Sequence, residues 1–92
     1  MALQFEWDYQ KARKNLRKHK VSFEEAASVF GDPLSITIPD PLHSSSEDRF
    51  IIIGESLQKR LIVVVHVERG NHIRIISARS TTRKEKENYE KN

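Results

Sequence analysis

The sequence predicts an α+β domain, with a mainly antiparallel β-sheet, two N-terminal helices and a short C-terminal helix. Three observations carry that reading: Asp8 and Ser22 precede amphipathic stretches as helix caps, four β-branched runs follow between Leu34 and Ala78, and Thr82-Arg83-Lys84-Glu85 opens a last helix. With 92 residues the chain has room for one compact domain, residues 1–92, and not for two.

Leu3, Phe5 and Trp7 alternate with Gln4, Glu6 and Asp8, the period of a half-buried strand. Asp8 then caps a helix from about Tyr9 to His19, with Ala12 and Leu16 on one side and Lys or Arg on most of the rest. Ser22 and Glu25 have the spacing of a capping box, which starts a second helix with Phe23, Ala26, Ala27 and Phe30 facing inward, and Gly31-Asp32-Pro33 stops it. Leu34, Ile36 and Ile38 alternate with Ser35 and Thr37 until Pro39-Asp40-Pro41 breaks the strand before a polar loop through Ser44-Ser45-Ser46. Phe50 to Gly54 and Leu61 to Glu68 read as strands, and the second pairs through Gly70-Asn71 with Ile73 to Ala78. Runs this apolar imply strands covered on both faces. The last helix, Arg83 to about Lys91, has almost no apolar stripe beyond Tyr89, so it frays unless the domain or a partner holds it.

Sixteen Lys and Arg against thirteen Asp and Glu give a net charge of +3. The cations gather in two zones, one at Lys11, Arg13, Lys14, Arg17, Lys18 and Lys20, the other at Arg69, Arg74, Arg79, Arg83, Lys84 and Lys86. Two basic zones fit a polyanion or an acidic protein partner; two solvated helix faces are the alternative. The absence of cysteine excludes disulfides, thiolate zinc sites and a cysteine nucleophile. The four histidines show no metal spacing, so neither a metal nor a cofactor is expected. The N-terminus lacks the apolar run of a signal peptide and Leu61 to Val65 is too short to cross a bilayer, which points to a soluble, cytoplasmic protein without membrane contact.

Phe5-Glu6-Trp7-Asp8, Asn15, Lys18-His19, Val21-Ser22-Phe23-Glu24-Glu25-Ala26, Val29-Phe30, Asp32-Pro33, Glu68-Arg69-Gly70 and Ile73-Arg74-Ile75-Ile76-Ser77-Ala78-Arg79 together resemble the BrnT family of bacterial type II toxins. The match runs in unbroken order over nearly the whole chain. Two positions depart from the family pattern: Tyr9 stands in place of proline at the helix start, and Lys20 in place of the glycine that ends the helix. The resemblance implies a RelE-like fold and an RNA-cleaving toxicity that arrests growth. It also implies neutralisation by a BrnA-like ribbon-helix-helix antitoxin, in a heterotetramer of two toxins and two antitoxins that reaches operator DNA only through the antitoxin. A non-catalytic module that binds RNA or protein is the alternative.

A metal-independent ribonuclease must orient a 2′-hydroxyl in line with phosphorus, move two protons and stabilise the charge on the phosphate in the transition state. Arginine suits the last task, because its planar fork stays charged and binds two phosphate oxygens, and Arg74 and Arg79 are the candidates. Pairing with Glu68, Glu55 or a helix C-terminus is the structural alternative for each. His66 and Glu68 are the candidates for proton transfer, against a packed ring and a strand-end ion pair. A two-residue turn at Gly70-Asn71 sets His66 opposite Ile75, on the face shared with Glu68 and Arg79, and points Arg74 to the other face; a bulge in the turn would set His66 facing Arg74. Lys11, Lys14, Lys18, Arg69, Arg83 and Lys84 are the candidates for RNA-backbone contacts, and the resemblance makes Lys84 and Tyr89 similar to groups that RelE-type toxins use. His43 and His72 read as exposed loop residues, and Trp7 and Phe50 as core rather than base-stacking platforms.

Overall fold

The computed structural model describes residues 2–41 and 48–91, so His43 and the serine-rich stretch lie outside the described residues. In chain order the elements are β1 (Gln4–Glu6), α1 (Tyr9–His19), α2 (Phe23–Ser28) with a 3₁₀ turn (Val29–Gly31), β2 (Ile36–Pro39), β3 (Arg49–Glu55), β4 (Leu61–Arg69), β5 (His72–Ser80) and α3 (Arg83–Glu90). The strands form one sheet in the order β1-β5-β4-β3-β2. β1 runs parallel to β5 and the other pairs are antiparallel, so the sheet is mixed. No described helix is long and apolar enough to cross a membrane.

Local chemistry accounts for the first helices. Asp8 Oδ1 accepts from the backbone N–H of Gln10 at 2.8 Å and of Lys11 at 3.2 Å, which satisfies two donors at the start of α1. The helix ends at Lys20, whose φ of 61° is the left-handed conformation that the missing glycine would have taken without strain. Asn15, buried in α1, fixes the helix to the sheet: Nδ2 donates to Val21 O at 3.0 Å and Ala78 O at 2.8 Å, and Oδ1 accepts from Ala78 N at 3.1 Å. β1 pairs with β5 only as far as Arg74, so this carboxamide supplies at Ala78 the bonds that a neighbouring strand would give.

At α2, Ser22 Oγ accepts from Glu25 N at 3.0 Å, but the other half of the expected capping box does not form. Glu25 turns its carboxylate away from the helix start, accepting from Ser56 Oγ at 2.7 Å and from both Nε (2.9 Å) and Nη2 of Arg60. A buried carboxylate needs those donors more than the helix end does. The Arg60 guanidinium holds its carboxyl below the usual glutamate range.

The core lies between these helices and one face of the sheet, where Val21, Phe23, Ala26 and Val29 meet Ile52, Ile62, Val64, Ile73, Ile75 and Ala78. Trp7 packs edge-on against Phe23 at 5.9 Å, as a core residue does. On the second face the cover is incomplete among the described residues: Ile51, Ile53 and Val65 are half-buried and Ile38 on the edge strand is exposed.

The last helix has no fully buried residue, and polar contacts hold both of its ends. Thr82 and Glu85 form a complete capping box, and the Tyr89 hydroxyl donates to Asp32 Oδ2 at 2.6 Å. Asp32 also accepts from Leu34 N at 2.9 Å and Glu55 N at 2.8 Å, tying α3 to the start of β2 and the end of β3. Burial raises the Asp32 pKa, but these hydrogen bonds outweigh it and the net shift is downward; the same carboxylate pushes the Tyr89 hydroxyl up to about 12.

Candidate functional site

The β4–β5 hairpin sets the geometry. Gly70 takes a φ of 62° at the first turn position, which glycine alone adopts without strain, and the ladder beyond pairs Arg69 with His72, Val67 with Arg74 and His66 with Ile75, as the two-residue turn predicts. One residue further the register changes: Val65 pairs with Ser77, leaving Ile76 as a bulge, and from there on every partner is displaced by one. Arg79 therefore lies opposite Val63 instead of Ile62, which corrects the expected face. It points to the side of Arg74, away from His66.

The same ladder builds a row across four strands. Arg49 in β3 is opposite Val67 in β4, Val67 is opposite Arg74 in β5, and Arg74 is opposite Glu6 in β1. Paired residues share a face, so all four project from the face opposite α2. Strand spacing sets the two arginine backbones about 10 Å apart with a valine between them. Arg74 Nη1 donates to Glu6 Oε2 at 3.0 Å, both side chains about half exposed.

Around this row lies a cleft of about 550 Å³ lined by Glu6, Lys11, Arg49, Val67, Arg69, His72, Arg74 and Ile76. Four cations and an imidazole against one carboxylate make a strongly positive concavity, whose low-dielectric walls favour an anion. Guanidinium forks bind phosphate oxygens in pairs, and an imidazole can accept a proton at one nitrogen and donate one from the other.

The candidates divide among three places. Lys11, Arg69 and Arg74 line the cleft, while Lys14 and Lys18 lie along α1 beside it. His66 is on the opposite face with no exposed surface, its ring edge-on to Phe30 at 4.8 Å and stacked with Phe50 at 6.0 Å. Its Nε2 contacts Glu68 Oε2 at 2.9 Å, and its Nδ1 has no hydrogen-bond partner among the described residues. Arg79 is held by Glu85 through two bonds of 2.8 Å, so the partners of the arginines are Glu6 and Glu85 instead of Glu68, Glu55 or a helix end. That pair pulls the Glu85 carboxyl down to about 2. Arg83 and Lys84 open α3, outside the cleft.

The sequence reading missed Arg49 and Glu6, and it placed His72 in a loop although it is the first residue of β5. Glu6 had a local signal, since it falls on the polar side of the β1 alternation, as Arg49 does beside Phe50. Their meeting with Arg74 depends on β1 pairing with β5, which no local pattern announces.

A small α+β domain with a cationic cleft on an open sheet face has the charge to attract an anionic ligand. The model of the family described as "Ribonuclease toxin, BrnT, of type II toxin-antitoxin system" matches residues 7–85, and the chain belongs to that family. The 1.1 Å crystal structure of the Brucella abortus ribonuclease toxin, BrnT, shares the fold, with a TM-score of 0.68 and 24% identity over 89% of this chain and 100% of that one. Among curated proteins no sequence matches the chain. Membership of a type II toxin family implies an antitoxin partner.

Proposed function

We propose that this chain is a metal-independent endoribonuclease with a RelE-like fold, and that it cleaves RNA in the cleft between β1, α1 and the β4–β5 hairpin. The row Arg49–Val67–Arg74–Glu6 is the observation that carries the reading, because it sets cations and a carboxylate around one cleft. Arg74, Arg49, Arg69 and Lys11 hold the scissile phosphate and stabilise its extra charge in the transition state. Glu6 removes the proton of the 2′-hydroxyl, whose oxygen attacks phosphorus while the bond to the 5′-oxygen breaks. His72 gives that oxygen its proton. A lone carboxylate among four cations is a poor nest for a divalent ion, which agrees with a metal-free reaction.

In this proposal His66 and Glu68 support the hairpin from behind, Arg79 anchors α3, and Arg83 and Lys84 add positive charge at its first turn. A BrnA-like ribbon-helix-helix antitoxin covers the cleft in a heterotetramer of two toxins and two antitoxins, and carries the pair to operator DNA. The growth-arresting form is free toxin acting in the cytoplasm.

The test is synthetic RNA incubated with purified protein in EDTA, with the products identified by mass spectrometry. Strands ending in 2′,3′-cyclic phosphate and 5′-hydroxyl are expected. Arg74→Ala should slow their appearance about a hundred- to a thousandfold while the protein stays folded. Intact RNA that is nonetheless bound would favour the non-catalytic module.

A further inference from the structure

Resting on that reading of the cleft, we propose that the groove beside α1 is a second RNA-backbone subsite, so that a single strand held at Arg74 continues past Lys11 to Lys14 and Lys18. The groove, about 310 Å³, is lined by Lys11, Lys14, Asn15, Lys18, His19 and Ile76. Lys11 and Ile76 also line the cleft, so the two concavities share a wall.

Helix geometry makes the lysines a line. Positions 11, 14 and 18 are three and four residues apart and fall on one stripe of α1, spanning about 10 Å along its axis. Asn15 falls on the same side of the helix, at the inner wall of the groove, and turns its carboxamide inward to its three bonds with Val21 and Ala78. Those bonds fix the rotation of the helix, and with it the side on which the lysines stand.

Charge and shape select a nucleic acid strand over other occupants. α1 contains no acidic residue. Arg74 and Arg79 each have a salt bridge to a carboxylate, whereas no salt bridge holds Lys14 or Lys18 among the described residues, and Lys11 has only the through-space attraction of Asp8. A row of cations outside any salt bridge that continues a phosphate cleft matches a polymer carrying one charge at every unit. The shared wall, Ile76, is half-buried and apolar, a surface against which a ribose or a base can lie.

The experiment compares two probes with 2′-O-methyl riboses, which cannot be cleaved through the 2′-hydroxyl: a twelve-nucleotide single strand, followed by fluorescence anisotropy, and a dinucleotide, followed by NMR titration. Affinities are measured over a range of salt for wild type, Lys14→Gln/Lys18→Gln and Lys14→Arg/Lys18→Arg. For the long strand, the Gln pair should make the slope of log affinity against log salt shallower by about 1.4, roughly 0.7 for each phosphate that is no longer neutralised. The Arg pair should keep the wild-type slope, and dinucleotide affinity should be the same in all three. An unchanged slope in the Gln pair, or an equal loss on the dinucleotide, overturns the proposal. So does wild-type protein that binds polyglutamate but not the long strand. Failure of the cleft reading has a separate signature: Arg74→Ala would then leave dinucleotide binding unchanged, and the continuity proposed here would fall with it.

Discussion

Glu85 offers a test of what holds the last helix in place. Its carboxylate closes the capping box with Thr82 and grips Arg79 through two bonds of 2.8 Å, and the pKa falls from 4.5 to about 2. A folded-state pKa below the unfolded value means that the ionised group adds stability above pH 4.5 and loses it as pH falls through about 2. The full drop would be worth about 3 kcal/mol, but the Arg79 side chain is 42% exposed and solvent screening brings this to about 1–2 kcal/mol. Because α3 buries no residue, it can detach without the rest unfolding, so amide exchange at Lys86 and Lys91, both bonded within the helix, is the appropriate readout. At pH 7, Glu85→Gln should lower their protection about five- to thirtyfold relative to wild type. At pH 3 less than half of the difference in free energy should remain, and near pH 2 almost none. Equal protection at pH 7, or a difference that persists at pH 2, would refute the argument.

Three other substitutions probe separate parts of the structure. Lys20→Gly should raise the melting temperature, by about 0.5–1 kcal/mol of stability, since the residue has a φ of 61°; an unchanged or lower Tm would show that the strain is absent. Gly54→Ala should cost about 1–3 kcal/mol in urea unfolding, because a Cβ there would stand 2.9 Å from Val29 Cγ1 and 3.0 Å from Ser35 Cβ; wild-type stability would mean those neighbours move freely. His66→Phe should keep RNA cleavage within a fewfold of wild type, the ring remaining between Phe30 and Phe50, and loss of cleavage from a folded variant would return His66 to the reaction.

What the sequence made legible was local. The Asp8 and Ser22 caps, the lysine at positive φ and the pairing next to Gly70-Asn71 depend on a few adjacent residues, and all are present. The bulge at Ile76 was not legible, because no glycine or proline marks it and the strand's β-branched pattern continues through it. It decides on which face Arg79 lies. Glu25 was misread for a related reason: its partners, Ser56 and Arg60, are more than thirty residues away, and a buried carboxylate takes the strongest donors that the fold provides. The candidate site was half legible. Arg74, Arg69 and Lys11 came from charge and strand pattern, whereas Glu6 and Arg49 reach the same cleft only through pairing across the sheet.

The bulge also makes the chain unequally tolerant of shortening. Removing another residue from the middle of β5 while the bulge stays in place would turn every side chain beyond it to the wrong side, driving Arg79 towards the apolar layer and Ala78 out of it. Removing Ile76 would only straighten the ladder: Ser77 would still meet Val65, Ala78 would still meet Val64, and Arg79 would still meet Val63. The sheet thus has one spare link. A protein shortened by that link would keep each side chain on its own side while losing the wall between the cleft and the groove.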